Sequence, residues 1–347
     1  MKKKLVVFCD GTWNEPDKNP TNVAKLFEAT LQEDQKGIPQ VVHYIQGVGT
    51  HWYDRMMGGM FGWGISENVK SGYRFLCSNY NQGDEIYLFG FSRGAYTARS
   101  LAGLIHNMGI LRREHFDQVN QTYARYKDKS PDWHPTGPKT QQFRSEFTHG
   151  GEKIRFLGVW DTVGALGAPY GLILGYLCDL LFSCRFHDTK LSSSILSASH
   201  AISADEHRWP FRPTLWQLGA NHNPQDFIEE WFPSVHSDVG GGYPETGLSD
   251  KALVWMADQA TKQGLSTQVK LSPSPETAHN SQTRYYQYAT LIAVKWPATA
   301  LIDLPGKVFK NWPAWFYGKL NEIGLLAEPD IAEKVARIQA NGDYWRR

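Results

Sequence analysis

Apolar residues in this chain fall in short continuous runs separated by polar or amphipathic stretches. Residues 4–9 (Lys-Leu-Val-Val-Phe-Cys), 41–45, 85–89 and 154–160 (Ile-Arg-Phe-Leu-Gly-Val-Trp) each predict a strand buried on both faces. Residues 231–235 predict a weaker fifth. Apolar spacings of three and four predict helices over 22–31, 66–79, 96–106 and 191–203. Strands alternating with helices predict an α/β fold, a three-layer sandwich with a mostly parallel sheet and helices on both faces.

Ligands of such sheets bind beyond the carboxyl ends of the strands. Five strand-following loops therefore converge on one rim: Asp10 to Asn14, Gly47 to Thr50, the turn at Ser92, Asp161 to Gly164, and His236 to Tyr243. Residues 127–151 are polar, contain Pro131 and Pro138, and read as an exposed insertion. Residues 1–265 are expected to form one domain. Residues 266–347 are expected to form an aromatic-rich extension packed on or beside it. It begins with a Ser/Thr/Pro-rich loop over 271–282 and continues through an aromatic segment (296–325) to a final helix (331–340).

Composition narrows the function classes. Lys+Arg is 36 against Asp+Glu 35, so the basic excess that a nucleic-acid partner requires is missing. Lys2, Lys3 and Lys4 precede only four apolar residues before Asp10, too few for a secretory signal. The protein is expected to be made in the cytoplasm, and export would follow a non-classical route. Cys9, Cys77, Cys178 and Cys184 show no metal-ligand spacing and read as reduced thiols; neither a metal nor a cofactor is expected. The 13 Trp, 16 Tyr and 17 Phe read mainly as core, with a share suited to a boundary between lipid and water.

The chemistry centres on Gly90-Phe-Ser92-Arg-Gly94, which follows a strand and opens a helix. Such a turn lifts a serine hydroxyl above the sheet at a helix N-terminus, where negative charge is favoured. A serine needs a base, and the base needs an orienting acid. Asp161 ends the strand 154–160 and His236 follows the strand near 231–235, in the chain order nucleophile, acid, histidine. Asp205 is the alternative acid; Asp238 lies only two residues from the histidine. The oxyanion hole is expected to use the Arg93 N–H and a donor from the first loop, Gly11 or Thr12. Gly240, Gly241 and Gly242 would let the backbone pass close to the rim or form an anion nest. Residues 165–183 are almost wholly apolar, broken by Gly and Pro and by Asp179. They predict a substrate lid over about 165–185, with Leu172, Leu174 and Leu177 facing acyl chains and making transient contact with a membrane surface.

Together, Phe8 to Asn14, Gly47 to Thr50, Gly90 to Ala95, Gly158 to Val163 and His236 to Tyr243 resemble the α/β-hydrolase domain family that includes phospholipase effectors of bacterial type VI secretion. The resemblance covers about residues 4–255. It implies an α/β-hydrolase core, a triad on Ser92, Asp161 and His236, hydrolysis of phospholipid acyl esters, and a secretion or immunity partner. Three other readings stand beside it. One is a soluble esterase for small esters. Another is a silent binding or regulatory protein on a hydrolase scaffold. The third is a haloacid-dehalogenase-type phosphatase, suggested by Cys9-Asp10-Gly11-Thr12; it needs an aspartate where Phe8 stands.

Overall fold

The computed structural model describes residues 2–11, 19–47, 58–128, 130–163, 191–206, 208, 213–216 and 226–281. All of these belong to the first of the two units into which the chain divides. Thr12, the lid with Leu172, Leu174 and Leu177, Cys178, Cys184, and the aromatic segment and final helix of 282–347 lie outside the described residues.

Six parallel strands form one sheet: β1 (Lys4–Cys9), β2 (Gln40–Ile45), β3 (Glu85–Phe91), β4 (Ile154–Trp160), β5 (Ala198–Ser203) and β6 (Phe227–Phe232). Their spatial order is β2-β1-β3-β4-β5-β6. This is the three-layer α/β-hydrolase architecture. In β1, Leu5, Val7 and Cys9 enter one apolar core, while Val6 and Phe8 enter the other. That two-sided burial explains why β1 reads as an unbroken apolar run. The first core is closed by helices α2 (Gly58–Asn79), α3 (Arg93–Met108), α4 (Val119–Lys127) and α5 (Pro138–Phe147), through Val69, Tyr73, Leu101, Leu104, Tyr126 and Phe143. The second is closed by α1 (Asn22–Ala29), through Val23 and Leu26, and by a long helix near the end of the described region (Gly247–Lys262), through Leu253 and Met256. A short helix, α6 (His236–Gly240), precedes that long helix, which is α7.

Three expectations need correction. Residues 191–203 do not form a helix; they contain strand β5, whose Ser199, His200 and Ser203 are buried. The last strand is Phe227–Phe232 rather than 231–235, so a turn separates it from His236, which opens α6. The stretch 127–151 is not simply an exposed loop. Pro138 opens α5, whose Thr140 and Phe143 are buried.

The sheet fixes where a site can form. β2 and β3 lie on opposite sides of β1, so the strand order reverses there and leaves a crevice beyond the carboxyl ends of β1 and β3.

Candidate active site

Ser92 stands between β3 and α3 with φ 58° and ψ −122°. A non-glycine residue adopts this left-handed backbone only when its surroundings hold it there. The two motif glycines are part of what does so. A Cβ on Gly90 would lie 2.4 Å from the Gly94 carbonyl oxygen, and one on Gly94 would lie 2.1 Å from the Cys9 carbonyl oxygen. The first turn of α3 is thus pressed against both β3 and the end of β1. The Ser92 N–H is anchored on the Trp160 carbonyl at 3.1 Å.

From this turn a hydrogen-bonded chain runs inward. Ser92 Oγ lies 2.9 Å from His236 Nε2, and His236 Nδ1 lies 2.5 Å from Asp161 Oδ2. All three side chains are buried, Ser92 at 7% exposure, His236 at 4% and Asp161 at 0%. Residues separated by 144 and 75 positions meet because all three follow carboxyl ends of parallel strands. Asp161 also has a left-handed backbone (φ 36°) and sits on β5. Its N–H donates to the Ala201 carbonyl at 2.7 Å, and its carboxylate accepts from Ser203 N (3.0 Å) and Ser203 Oγ (2.9 Å). Because Asp161 accepts at Nδ1, the imidazole carries its proton there and leaves Nε2 to accept from the Ser92 hydroxyl.

Asp205 does not reach the histidine. Its carboxylate accepts from Ser234 N at 2.6 Å, and its own N–H returns to the Ser234 carbonyl at 3.1 Å. Ser234 is the third non-glycine residue with a left-handed backbone among the described residues (φ 82°), and it makes the turn between β6 and α6. Asp205 therefore shapes the loop that presents His236. Asp238 accepts from Ser234 Oγ and from His279 (Nδ1 at 2.6 Å), so it too serves this loop.

Arg93 contributes the first amide of α3, directly after Ser92. The Gly11 N–H donates to Oδ1 of its neighbour Asp10 at 2.6 Å. Asp10 is itself enclosed, with Oδ2 accepting from Thr21 Oγ1 and Tyr44 OH. Phe8, at the position where that phosphatase would need its nucleophilic aspartate, is wholly buried in the core, which disfavours the phosphatase reading. Gly240 and Gly241 are explained by close packing. A Cβ on Gly240 would meet the Phe91 ring at 1.9 Å, and Gly241 (φ 83°) bridges to Thr21 beside α1.

Phe91 and His200, which sequence reasoning passed over, complete the site together with Glu206. The Phe91 ring packs on the His236 imidazole with 4.6 Å between centroids. His200 accepts the Thr162 N–H at Nε2 (3.2 Å), immediately beyond Asp161, and burial pushes its imidazole towards the neutral form. Glu206 accepts from the His236 N–H at 3.3 Å and pairs with Arg208. Burial alone would raise the Glu206 carboxyl; the Arg208 guanidinium outweighs it and holds the group below its ordinary range. No group of three His, Cys, Asp or Glu side chains suited to a metal ion occurs among the described residues, and no described helix is long and apolar enough to cross a membrane.

Comparison with known proteins follows the same lines. The chain is 30% identical over 232 residues to the uncharacterized protein YEL023C of Saccharomyces cerevisiae, a match covering 60% of this chain and 32% of that one. It therefore spans about a third of the length of that curated relative. Among solved structures it is similar to an uncharacterized protein from Pseudomonas aeruginosa (TM-score 0.42, 18% identity, 77% of this chain and 47% of that one). It is also similar to the Tle1 effector solved bound to the VgrG spike of the type 6 secretion system (TM-score 0.39, 19% identity, 71% and 52%). Residues 3–259, most of the chain, match the family model described as the T6SS phospholipase effector Tle1-like catalytic domain. The chain belongs to this family.

Proposed function

We propose that the protein is a serine hydrolase that cleaves phospholipid acyl esters through Ser92, His236 and Asp161. The observation that carries this reading is the continuous chain Ser92 Oγ–His236 Nε2 at 2.9 Å and His236 Nδ1–Asp161 Oδ2 at 2.5 Å, ending on a serine held in a strained turn. In this mechanism His236 Nε2 takes the Ser92 proton as Oγ attacks the acyl carbonyl carbon. The carbonyl oxygen becomes an oxyanion, which the Arg93 N–H stabilises at the N-terminus of α3. The imidazolium, held by Asp161, gives its proton to the leaving alcohol oxygen as the ester C–O bond breaks. Water, deprotonated by His236, then attacks the acyl-enzyme and releases the fatty acid and the serine hydroxyl. A lipid substrate is supported by the family and by the apolar 165–183 sequence.

Fluorophosphonate labelling and phospholipid turnover by the purified protein test this reading beside Ser92→Ala. Both activities are expected in the parent and neither in the variant. Turnover confined to short soluble esters would make the protein a small-ester esterase. An unlabelled, folded parent would remove the nucleophile and favour the binding reading.

A further inference from the structure

The turn that aims His236 is built from polar groups around a strained residue, and part of its support comes from far along the chain. Ser234 donates its N–H to Asp205 Oδ2 at 2.6 Å and its hydroxyl to Asp238 Oδ2. Asp238 has a side chain only 1% exposed. A buried carboxylate needs several donors, and removing one is costly. Two of its donors belong to His279: the backbone N–H reaches Oδ2 at 3.0 Å, and Nδ1 reaches Oδ1 at 2.6 Å.

His279 lies in a segment without regular secondary structure, residues 271–281, that crosses the start of α7. Ser274 Oγ accepts from Thr246 N at 2.8 Å, the Pro275 carbonyl accepts from Gly247 N at 3.2 Å, and Glu276 pairs with Lys251 at the exposed surface. At its far end Ser281 Oγ donates to Glu206 Oε1 at 2.8 Å, the same carboxylate whose Oε2 accepts the His236 N–H. The strap thus grips the histidine loop twice, at Asp238 and at Glu206. The His279 ring is held for this task. It stacks on Tyr243 with centroids 3.9 Å apart, and its Nε2 faces Glu245 at 3.4 Å. The strap lies beyond residue 259, where the family match ends.

We infer that His279 is a positioning residue for the general base: its Nδ1–H fixes Asp238, Asp238 fixes the Ser234 turn, and the turn sets the height of the His236 imidazole between Asp161 and Ser92. The inference rests on the serine-hydrolase reading of the site. It extends the working site to a strap outside the matched domain. A loosened turn would move the imidazole off the serine and off Asp161 together. Misplacement of about an ångström costs up to roughly a hundredfold in rate.

Two substitutions separate the donor from the ring. His279→Phe keeps the stack on Tyr243 and deletes the donor; His279→Asn keeps a donor near the Nδ1 position and deletes the ring. The full-length parent, both variants, and Lys251→Ala as a control at the exposed end of the strap are compared by melting temperature and by kcat and KM for ester hydrolysis from pH 5 to 9. Labelling of the parent but not of Ser92→Ala establishes the underlying reading separately. The expected result is a kcat about ten- to a hundredfold lower in the Phe variant, with KM unchanged. The Asn and Lys251 variants should stay near the parent. Parental kcat in the Phe variant, or an Asn variant as impaired as Phe, would overturn the inference even if the labelling result stands. If the Phe variant does not fold, the Asn variant decides: parental kcat supports the donor, and a low kcat with an unchanged melting temperature overturns it. An unlabelled parent would overturn the reading and the inference together.

Discussion

Among the described residues only Ser92, Asp161 and Ser234 have a non-glycine residue in the left-handed region, and all three lie at the site. Strain of this kind costs on the order of 1–3 kcal/mol per residue and persists only where neighbours over-determine it. Here the neighbours can be named. Trp160 and the Gly90–Gly94 packing hold Ser92; Ala201 and Ser203 hold Asp161; Asp205 and Asp238 hold Ser234. Asp161 and His236 are as closely coupled as Ser92 and His236, so replacing the acid tests the site without removing the nucleophile. Asp161→Asn keeps the volume and the bond from the Ser203 N–H but presents an amide to Nδ1, which favours the wrong tautomer. We expect kcat to fall by roughly three to four orders of magnitude while the fold persists. Steady-state turnover with a thermal melt of the same sample checks this, and a fall of tenfold or less would mean that Asp161 only shapes the loop. Ser92 was legible in the sequence because its motif sits between a strand and a helix. Ser203 and Ser234 were not, because a serine that holds a carboxylate or a turn leaves no trace in local pattern.

The elements differed in legibility for physical reasons. β1, β3 and β4 are buried on both faces, so their sequences are nearly continuous apolar runs. β5 (Ala-Ser-His-Ala-Ile-Ser) is just as buried, but its polar side chains serve the site: Ser203 bonds Asp161, and His200 bonds the amide after it. A strand whose polar groups are satisfied across the sheet does not look like a strand in sequence. β6 ends the strand order and exposes Glu229, Glu230 and Trp231, so its apolar signal was weak and its expected position slipped. β1 also shows how elements are tied at their amino ends. The buried Lys4 ammonium donates to Asp34 Oδ2 at 2.6 Å, beside β2, and to the Gly264 carbonyl after α7. The hydrogen bond from Lys4 holds the Asp34 carboxyl at about 2, below its ordinary 3.8. A carboxyl with a depressed folded pKa stabilises fully above its unfolded value and loses that contribution as pH falls towards the folded one. Asp34→Asn should therefore lower the melting temperature at pH 7. The gap to the parent should narrow from about pH 4 and close near pH 2. Melts across that range check it; a gap independent of pH would assign the effect to packing.

At the scale of the whole molecule, chemistry and substrate delivery are separable problems. A parallel sheet brings loops from β3, β4 and β6 to one rim, and the proposed ester hydrolysis needs only that buried serine, histidine and aspartate. It does not by itself select a phospholipid over a small ester, because a phospholipid must leave a bilayer before its acyl bond can reach Ser92. We propose that residues 165–185 perform that task, since Leu172, Leu174 and Leu177 stand there in an apolar stretch interrupted by Gly and Pro. If those leucines enter the interface, each contributes on the order of 1.5–3 kcal/mol of burial, which converts to roughly ten- to a hundredfold in membrane partition. Leu172→Asp and Leu177→Asp should then reduce co-sedimentation with phospholipid vesicles, and hydrolysis of vesicle lipid, by at least about tenfold each. Turnover of a short-chain soluble ester should stay near the parent value, since that substrate reaches the serine through water. Equal losses on both substrates would mean that the segment shapes the pocket itself. Unchanged vesicle binding would remove the interfacial role and shift the substrate assignment towards soluble esters.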